Sequence, residues 1–370
     1  MLRKHISLGK ISGIPINLDY SWFLIFFIIT WIMATNYFPL EIKGGSTFFY
    51  WSISAITAIL FFLSVLLHEL GHSYLARQFK IQVNRITLFI FGGVAEIRDE
   101  PPSAKAEFWI ALAGPVVSFI LAVLFYFMGE GLKVRSSIGI MFAYLAYINF
   151  LLVGFNLIPG FPLDGGRVFR AFLWSITHNY KKATIIAATT GRFIAYAFMG
   201  LGIFIIFSGN LFNGLWLAFI GWFLESAAVA QVHQQTLHDL LGSHMVKDAL
   251  RSDIQSVPSN TTVQELIDHY IIGKGRRYFL VNSKDRPLGL LTIHRIKEIP
   301  YEKRKETHVS EIMIPEAEVR KVDFQDNLWS SLKEMDHDGV NQLLVMEDHR
   351  IAGVLSREGI LSFINDIQEL

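Results

Sequence analysis

The sequence predicts an α-helical polytopic membrane domain, with six transmembrane helices and a short membrane-associated β segment, followed by a C-terminal α+β domain built from a tandem repeat. Three observations predict this fold class. Hydrophobic residues make up 52% of the 370 residues, which is high for a soluble protein. They concentrate before about residue 230, and the rest of the chain mixes charged residues with short apolar runs. That remaining part also repeats itself with a period of about 63 residues.

The composition excludes several kinds of protein. The chain contains no cysteine, so disulfides, thiolate metal sites and a cysteine nucleophile are excluded. A net charge of +1 gives no reason to expect a nucleic-acid partner. The polar stretch that ends at Asp19 is long, and the apolar segment after it continues past any small-residue cleavage site. We therefore predict a retained first span in place of a secretory signal.

Six apolar segments are long enough to cross a hydrocarbon core of about 30 Å, which takes roughly 20 helical residues. They lie near residues 20–38, 51–79, 105–128, 138–157, 183–207 and 211–230. Basic residues precede the first span and concentrate between spans two and three and between spans four and five, whereas the opposite side offers only Lys43, Lys133 and Arg135. Because short cytosolic loops are enriched in Lys and Arg, both termini are predicted to be cytosolic.

Residues 81–97 (IQVNRITLFIFGGVAEI) differ from the other segments between spans. They are rich in β-branched and aromatic residues and contain Gly92-Gly93, which predicts strands and a turn. Because an open sheet edge cannot face lipid, these strands are expected to pack on the protein or to lie at the membrane interface. A simple surface hairpin is the alternative interpretation.

The C-terminal part contains an internal repeat. The predicted boundaries are 1–230 for the membrane domain, 231–244 for a polar linker and 245–370 for the tandem domain. The sequence VKDA at 246–249 matches VSEI at 309–312, and the strand-turn-strand pattern at 278–292 matches 343–356. Each unit is predicted to carry short helices and two or three strands.

The second span contains His68-Glu69-Leu70-Gly71-His72, which is the H-E-x-x-H pattern. Histidines at i and i+4 of a helix lie one above the other on the same face, so both can reach one Zn²⁺ while the glutamate sits beside them. Of the twelve histidines, only these two fall within an apolar span, where clustered ionisable groups are costly and mark function. The pattern therefore predicts a metal site in preference to a polar cluster that merely packs helices.

A catalytic zinc site needs a third protein ligand and an open position. The candidate acids at or near membrane depth are Asp164, Glu225, Asp19, Glu96 and Glu107. Prolines and glycines at 159–166 break the chain after the fourth span, and irregular backbone at this depth is tolerated only where it is buried in protein or lines a wet cavity. We therefore predict Asp164 as the third ligand, on irregular backbone, with Glu225 as its rival.

Four motifs resemble the site-2 protease family of intramembrane metalloproteases. They are HELGH at 68–72, FGGV at 91–94, AGP at 113–115, and NLIP at 156–159 followed by PLDGG at 162–166. The resemblance covers spans two to four, with the motifs in the family's order and spacing. It implies that His68, His72 and Asp164 ligate one zinc ion per chain and that Glu69 is the catalytic base. It also implies that Asn156 helps to hold the oxyanion, and that Gly92-Gly93 lies beside the substrate strand.

The resemblance implies a zinc-dependent endopeptidase that cleaves a membrane-anchored protein in or near its transmembrane segment, which is regulated intramembrane proteolysis. A substrate helix must unwind first, and adding its extended segment to the edge near Gly92-Gly93 would satisfy backbone groups that lipid cannot. The alternative role of Asn156 is to cap the end of the fourth span. Compact family members with such a tail are bacterial and archaeal, which implies a multi-pass protein of the plasma membrane.

The tandem units resemble a pair of cystathionine-β-synthase-type (CBS) domains. The segments LGLLT at 288–292 and AGVLS at 352–356 each form a hydrophobic strand that ends in a hydroxyl residue, Thr292 or Ser356, before a helix. Family members often bind adenosine nucleotides there, with an aspartate three residues later, where this chain has Arg295 and Gly359. Two alternatives stay open: an adenosine nucleotide whose phosphates meet Arg276, Arg277 or Arg295, and a homodimerisation module without a ligand.

Two functions of different classes are compatible with these features. One is a protease modulated by its cytosolic CBS pair, and the other is a channel or transporter gated by that pair. A transporter can use two histidines for an ion but has no need of a general base between them, so Glu69 together with Asp164 favours the protease. A soluble-type metalloprotease tethered to the membrane is disfavoured because the motif helix is apolar on all sides.

Overall fold

The computed structural model describes residues 5–97, 100–132, 136–250, 255–272, 277–283, 286–348 and 350–368. Some of the basic residues that indicate orientation lie outside the described residues, namely Arg3 and Lys4 before the first span, Arg98 between spans two and three, and Lys133 and Arg135 on the opposite side. Arg276 of the tail also lies outside them. The chain divides into two compact units, Met1–Gln235 and Thr236–Leu370.

Helices dominate the first unit. Their bounds are α1 Tyr20–Ile32, α2 Phe38–Glu41, α3 Thr47–Gln78, α4 Ala104–Gly131, α5 Ser137–Asn156, α6 Asp164–Thr177, α7 Tyr180–Phe207 and α8 Leu211–Gly242, and a π-helical turn joins α1 to α2. Six helical stretches in the described part are long and apolar enough to cross a membrane: α1 to α2 taken together, α3, α4, α5, α7 and α8. The six predicted spans are therefore confirmed as helices.

A four-stranded sheet completes the first unit. Its strands are β1 His5–Ile11, β2 Ile14–Asp19, β3 Val83–Phe89 and β4 Gly92–Ile97, in the order β1-β2-β3-β4. The hairpin of β3 and β4 was predicted, whereas β1 and β2 were missed because their residues were treated as a polar flank. β2 runs parallel to β3, and β4 pairs antiparallel with β3 and forms one edge of the sheet.

The sheet packs on α3. Ile14, Ile16 and Leu18 alternate with more exposed residues along β2 and form one buried cluster with Val65 and Leu66 of α3. This period of two is what a strand with one buried face requires. The hairpin therefore packs on the protein and is not an isolated surface hairpin.

Glycines allow the helices of the first unit to approach closely. A Cβ at Gly71 of α3 would lie 2.9 Å from Val117 and 3.1 Å from the Ala113 carbonyl of α4. A Cβ at Gly202 of α7 would lie 2.7 Å from the Gly214 carbonyl of α8. Membrane helices associate largely through such small residues, since lipid supplies no hydrophobic drive between them.

Two sequence-based expectations need correction. Asp164 was expected on irregular backbone, but it is the first residue of α6, and the irregular segment is the one before it, residues 157–163. The linker predicted at 231–244 is helical as far as Gly242, because α8 meets no glycine or proline between residues 222 and 241.

The second unit contains two sheets and five α-helices among its described residues. The strands are β5 Ser256–Pro258, β6 Tyr278–Ser283, β7 Arg286–Thr292, β8 Ile314–Pro315, β9 Lys321–Asp323, β10 Gln342–Glu347 and β11 Arg350–Ser356. The helices are α9 Val263–Leu266, α10 Ile293–Lys297, α11 Val309–Ile312, α12 Leu328–Asp338 and α13 Arg357–Gln368. The sheet orders are β5-β6-β7-β8 and β11-β10-β9. The first repeat supplies three strands, within the predicted number, whereas the second repeat supplies four, because its β8 joins the sheet of the first repeat.

The two repeats also pair with each other through β-bridges and have matching helix caps. Met245 bridges to Asn327, and Thr262 bridges to His308, so the start of each repeat pairs with the other repeat. The carboxylates of Glu265 and Glu311 accept hydrogen bonds from the backbone N–H groups of Thr262 and His308. These hydrogen bonds lower the pKa of both glutamates in matching helix caps.

Candidate metal centre

His68 and His72 lie one turn apart on α3 and are both buried, with relative exposures of 4% and 3%. Their Nε2 atoms are 3.2 Å apart. The i, i+4 spacing therefore produces the shared face that it predicts, with both imidazoles pointing to one place.

Asp164 joins the two histidines from the start of α6. Its Oδ2 atom lies 3.1 Å from His68 Nε2 and 3.2 Å from His72 Nε2. The ligand atoms of these three residues form a compact group suited to a metal ion. The structure thus brings together the three residues predicted as ligands, although their role as ligands stays a prediction.

Helix α4 orients both imidazole rings. His72 Nδ1 lies 2.7 Å from the Ile110 carbonyl oxygen, and His68 Nδ1 lies 2.9 Å from Ser118 Oγ. Because a carbonyl only accepts hydrogen bonds, His72 carries its proton on Nδ1, and the Ser118 hydroxyl can accept from His68 in the same way. Each Nε2 lone pair is then directed towards Asp164, which is the arrangement of histidines that bind metals.

Gly114 of α4 leaves the space in front of the imidazoles open. A Cβ at this position would lie 2.2 Å from His72 Nε2 and 2.6 Å from His68 Nε2. Every other residue type would therefore collide with the nitrogen atoms that face the cluster. The Ala113-Gly114-Pro115 motif thus has a local steric reason.

The donor set fits zinc. Two imidazoles and one carboxylate are a common zinc-binding set, and three protein ligands leave a fourth position free. Ligand atoms about 2.0–2.1 Å from one ion at tetrahedral angles lie roughly 3.3 Å from each other. The separations of 3.1 to 3.2 Å agree with that geometry.

The other candidate acids make different contacts. Glu225, the rival ligand, accepts from Arg192 at 3.2 Å and from the Tyr196 hydroxyl at 3.3 Å. Asp19 accepts a hydrogen bond from the Ser21 backbone N–H at 2.9 Å, and Glu107 accepts one from Arg170 at 2.7 Å. Glu96 forms an ion pair with Arg85 at 2.8 Å. Asp164 is therefore the acid that the structure gathers with the histidines.

A cavity of about 530 Å³ opens beside the histidines and brings further predicted residues together. Glu69, Gly92, Gly93 and Asn156 line it. A Cβ at Gly93 would lie 2.6 Å from Glu69 Cγ, so strand β4 passes directly over the glutamate. Asn156 ends α5, and its side chain makes no hydrogen bond within the described residues, so the alternative capping role is not observed there.

Sequence reasoning missed several residues around this site. Ser118 and the Ile110 carbonyl orient the histidines, and Arg167, one turn after Asp164, lines the cavity. Arg167 and Arg170 are among the basic residues between spans four and five, which served only to predict orientation. Arg167, three residues after Asp164, would have been placed near its face of α6 if that helix had been predicted.

The two tail candidates differ in their environment. Ser356 is buried, and its hydroxyl accepts a hydrogen bond from the Gly359 backbone N–H at 3.1 Å. Thr292 precedes α10 without a side-chain cap, and its hydroxyl has no hydrogen-bond partner within the described residues. Of the three arginines considered for phosphates, Arg277 pairs with Glu358 at 2.7 Å.

Comparison with known proteins identifies the class to which this fold and site belong. The model of peptidase family M50 matches residues 56–139 and 128–198, and the CBS domain model matches 246–302 and 309–366. Rip3 of Mycobacterium tuberculosis, a zinc metalloprotease by name, is 32% identical over 98% of this chain and 94% of its own length. A Synechocystis protein, also named as a zinc metalloprotease, is 30% identical over 97% of this chain and 95% of its own length.

One solved structure is also similar in sequence to part of this chain. The site-2 protease from Methanocaldococcus jannaschii is 33% identical, with 62% of this chain and 95% of that chain covered at a TM-score of 0.43. The chain belongs to peptidase family M50, the site-2 proteases, and carries a C-terminal CBS domain pair. It is a multi-pass membrane metalloprotease, which decides against the transporter hypothesis.

The clearance at Gly114 generates a test of the site. We expect Gly114→Ala to lower zinc affinity by at least about 10-fold, because the added methyl group displaces the imidazoles. Zinc per chain, measured by metal analysis after purification in detergent, checks this. Gly131→Ala is the matched control, since a Cβ at that position of the same helix meets nothing within 4 Å. Equal zinc content in both variants would contradict the steric argument.

Proposed function

We propose that this chain hydrolyses a peptide bond in or near a transmembrane segment of a membrane-anchored protein. The observation that carries the proposal is the convergence of His68, His72 and Asp164 beside Glu69, within an apolar span and under a strand edge. A metal site that served only structure would have no need of a carboxylate base or of an open cavity.

The residues around the cavity have different proposed roles in the hydrolysis. His68, His72 and Asp164 would hold the zinc ion, which would supply Lewis-acid chemistry when bound. Glu69 takes the proton of the attacking water and delivers it to the leaving amine. The free amide of Asn156 donates to the oxygen atom that becomes negative, and one such donor contributes about 3 kcal/mol.

We further propose that substrate binds as an added strand along β4. This strand lies at the edge of its sheet, and within the described residues no other strand pairs with its outer side. An extended substrate segment placed there satisfies its backbone groups away from lipid. The absence of a side chain at Gly93 brings that segment next to Glu69.

The tail is proposed to modulate this activity from the cytosol. α8 supplies Phe223 and Leu224 to the lining of the cavity, and its last turns supply Leu237 and Leu241 to the core of the second unit. One continuous helix thus takes part in both. The basic residues on the predicted cytosolic side support a plasma-membrane protein whose termini and CBS pair face the cytosol.

The first test concerns the base. In purified protein in detergent, Glu69→Gln is expected to reduce cleavage of single-span substrates by about 10²- to 10⁴-fold, because the amide cannot accept the proton. Zinc content should stay near that of the wild type. Glu130→Gln serves as the control, since Glu130 is exposed near the end of α4 and does not line the cavity. Equal cleavage by wild type and Glu69→Gln, or a wild type without zinc, would refute the proposal.

A second test concerns the substrate strand. Val94→Pro, in the middle of β4, is expected to reduce cleavage by at least about 10-fold while zinc content is unchanged, because proline cannot take part in a strand ladder. Val94→Ala controls for loss of the exposed side chain. Cleavage by the proline variant at the rate of the alanine variant would count against strand addition.

A third test concerns the tail ligand. If an adenosine nucleotide binds, Thr292→Val is expected to weaken it by about 10-fold, since the Thr292 hydroxyl is free to bond a ribose. Ser356→Ala should have a smaller effect, because Gly359 already occupies that hydroxyl. Calorimetric titration of the full chain with AMP, ADP and ATP measures this. If the wild type binds none of them, the dimerisation alternative becomes the hypothesis to test by mass measurement.

A further inference from the structure

A buried ion pair links two helices next to the metal centre. Glu107, in the first turn of α4, has 0% exposure, and Arg170 of α6 has 5%. Arg170 Nε donates to Glu107 Oε1 at 2.7 Å, and a second nitrogen of the guanidinium donates to the same oxygen. The other terminal nitrogen of Arg170 lies 3.4 Å from the Thr184 hydroxyl of α7.

Two aromatic rings enclose the guanidinium. The Cζ atom of Arg170 lies 4.8 Å from the centre of the Phe161 ring and 4.6 Å from the centre of the Tyr180 ring. Cation–π contacts of this kind strengthen when water is excluded. The Arg170 side chain is therefore held by a carboxylate, a hydroxyl and two rings, which leaves it little freedom to change position.

Stability alone does not explain such a pair. Removing two charges from water is costly, and a buried ion pair can often be replaced by apolar residues of similar volume without loss of stability. Some buried pairs are instead retained because they specify one arrangement of the elements that they join. The location of Glu107 and Arg170 indicates which arrangement this is.

Both partners connect to the metal centre through short paths. Glu107 lies three residues before Ile110, whose carbonyl accepts from His72 Nδ1. Arg170 lies six residues after Asp164 on α6, and Phe161, which packs on Arg170, lies three residues before Asp164. The pair therefore connects the start of α4, which orients His72 through the Ile110 carbonyl, to the chain before and after Asp164.

We propose that Glu107 and Arg170 are positioning residues that set the separation between Asp164 and the two histidines, and so determine how firmly the site retains zinc. This inference rests on the proposed zinc site. It assigns no contact with substrate to either residue.

The experiment compares zinc release from the full chain in detergent. The double variant Glu107→Leu/Arg170→Met removes both charges together, so neither partner is left buried and unpaired. We expect it to lose zinc to a chelator about 10- to 100-fold faster than the wild type, as is typical when the residues that orient metal ligands are changed. Unfolding temperatures are compared on metal-free protein, because bound zinc would itself raise them.

A matched control removes a different ion pair of the first unit. Arg192→Met/Glu225→Leu breaks a pair between α7 and α8 at 3.2 Å and is expected to release zinc at the wild-type rate. Excess zinc should restore cleavage by the Glu107/Arg170 double variant towards the wild-type rate, but should not restore Glu69→Gln, which lacks the base.

The outcomes separate the two hypotheses. If the wild type carries zinc and the double variant releases it at the wild-type rate, the positioning role is overturned, whatever the unfolding temperature. If the wild type carries no zinc, the proposed function itself fails. Should the double variant not fold, Arg170→Lys replaces it. Lysine keeps the charge but lacks the planar fork, so zinc release faster than wild type is expected, and an unchanged rate overturns the proposal.

Discussion

The meeting of two imidazoles and one carboxylate inside an apolar helix bundle is the constraint on which the rest of the structure depends. In lipid, a polar group that is left without a partner is costly, so each member of the cluster must be satisfied by the protein. The Ser118 hydroxyl and the Ile110 carbonyl can accept hydrogen bonds from the Nδ1 atoms of His68 and His72. The positions of α4 and α6 must therefore allow their polar groups to reach the two histidines of α3.

The close approach of chain segments around the histidines also explains the positions of several glycines. Gly114 clears the face of the imidazoles, and Gly93 clears the space over Glu69. At Gly166, a Cβ would lie 2.3 Å from the backbone of Gly160, so this glycine allows α6 to start against the irregular segment that delivers Asp164. Glycine in a helix costs about 1 kcal/mol relative to alanine. That cost is accepted at Gly114 and Gly166, where the backbone must come close to the histidines and to the segment before Asp164.

A feature of the fold or of the site could be predicted from sequence when the residues that define it lie close together in the chain. The spans and the histidine pair are local patterns, of hydropathy and of i, i+4 spacing, and both were predicted. The placing of β2 beside β3 joins residues about 70 apart in the chain, and the Glu107–Arg170 pair joins residues 63 apart. Neither has a local signature. α6 was missed because its glycines and the prolines before it favour a loop, although its apolar residues recur with helical spacing and are themselves a local signal.

The tail poses a different physical question, since its two candidate nucleotide positions are not equivalent. In the second repeat, Leu250 fills the space beside Gly353, where a Cβ would lie 2.5 Å from its side chain, and Ser356 already caps α13. In the first repeat, the Ile314 carbonyl lies against Gly289, but the Thr292 hydroxyl stays unbonded within the described residues. A ligand of this tail would thus meet one available hydroxyl and not two. Leu241 of α8 belongs to the same core as Leu343 and Leu355, so the last turn of that helix is part of the hydrophobic core of the second repeat.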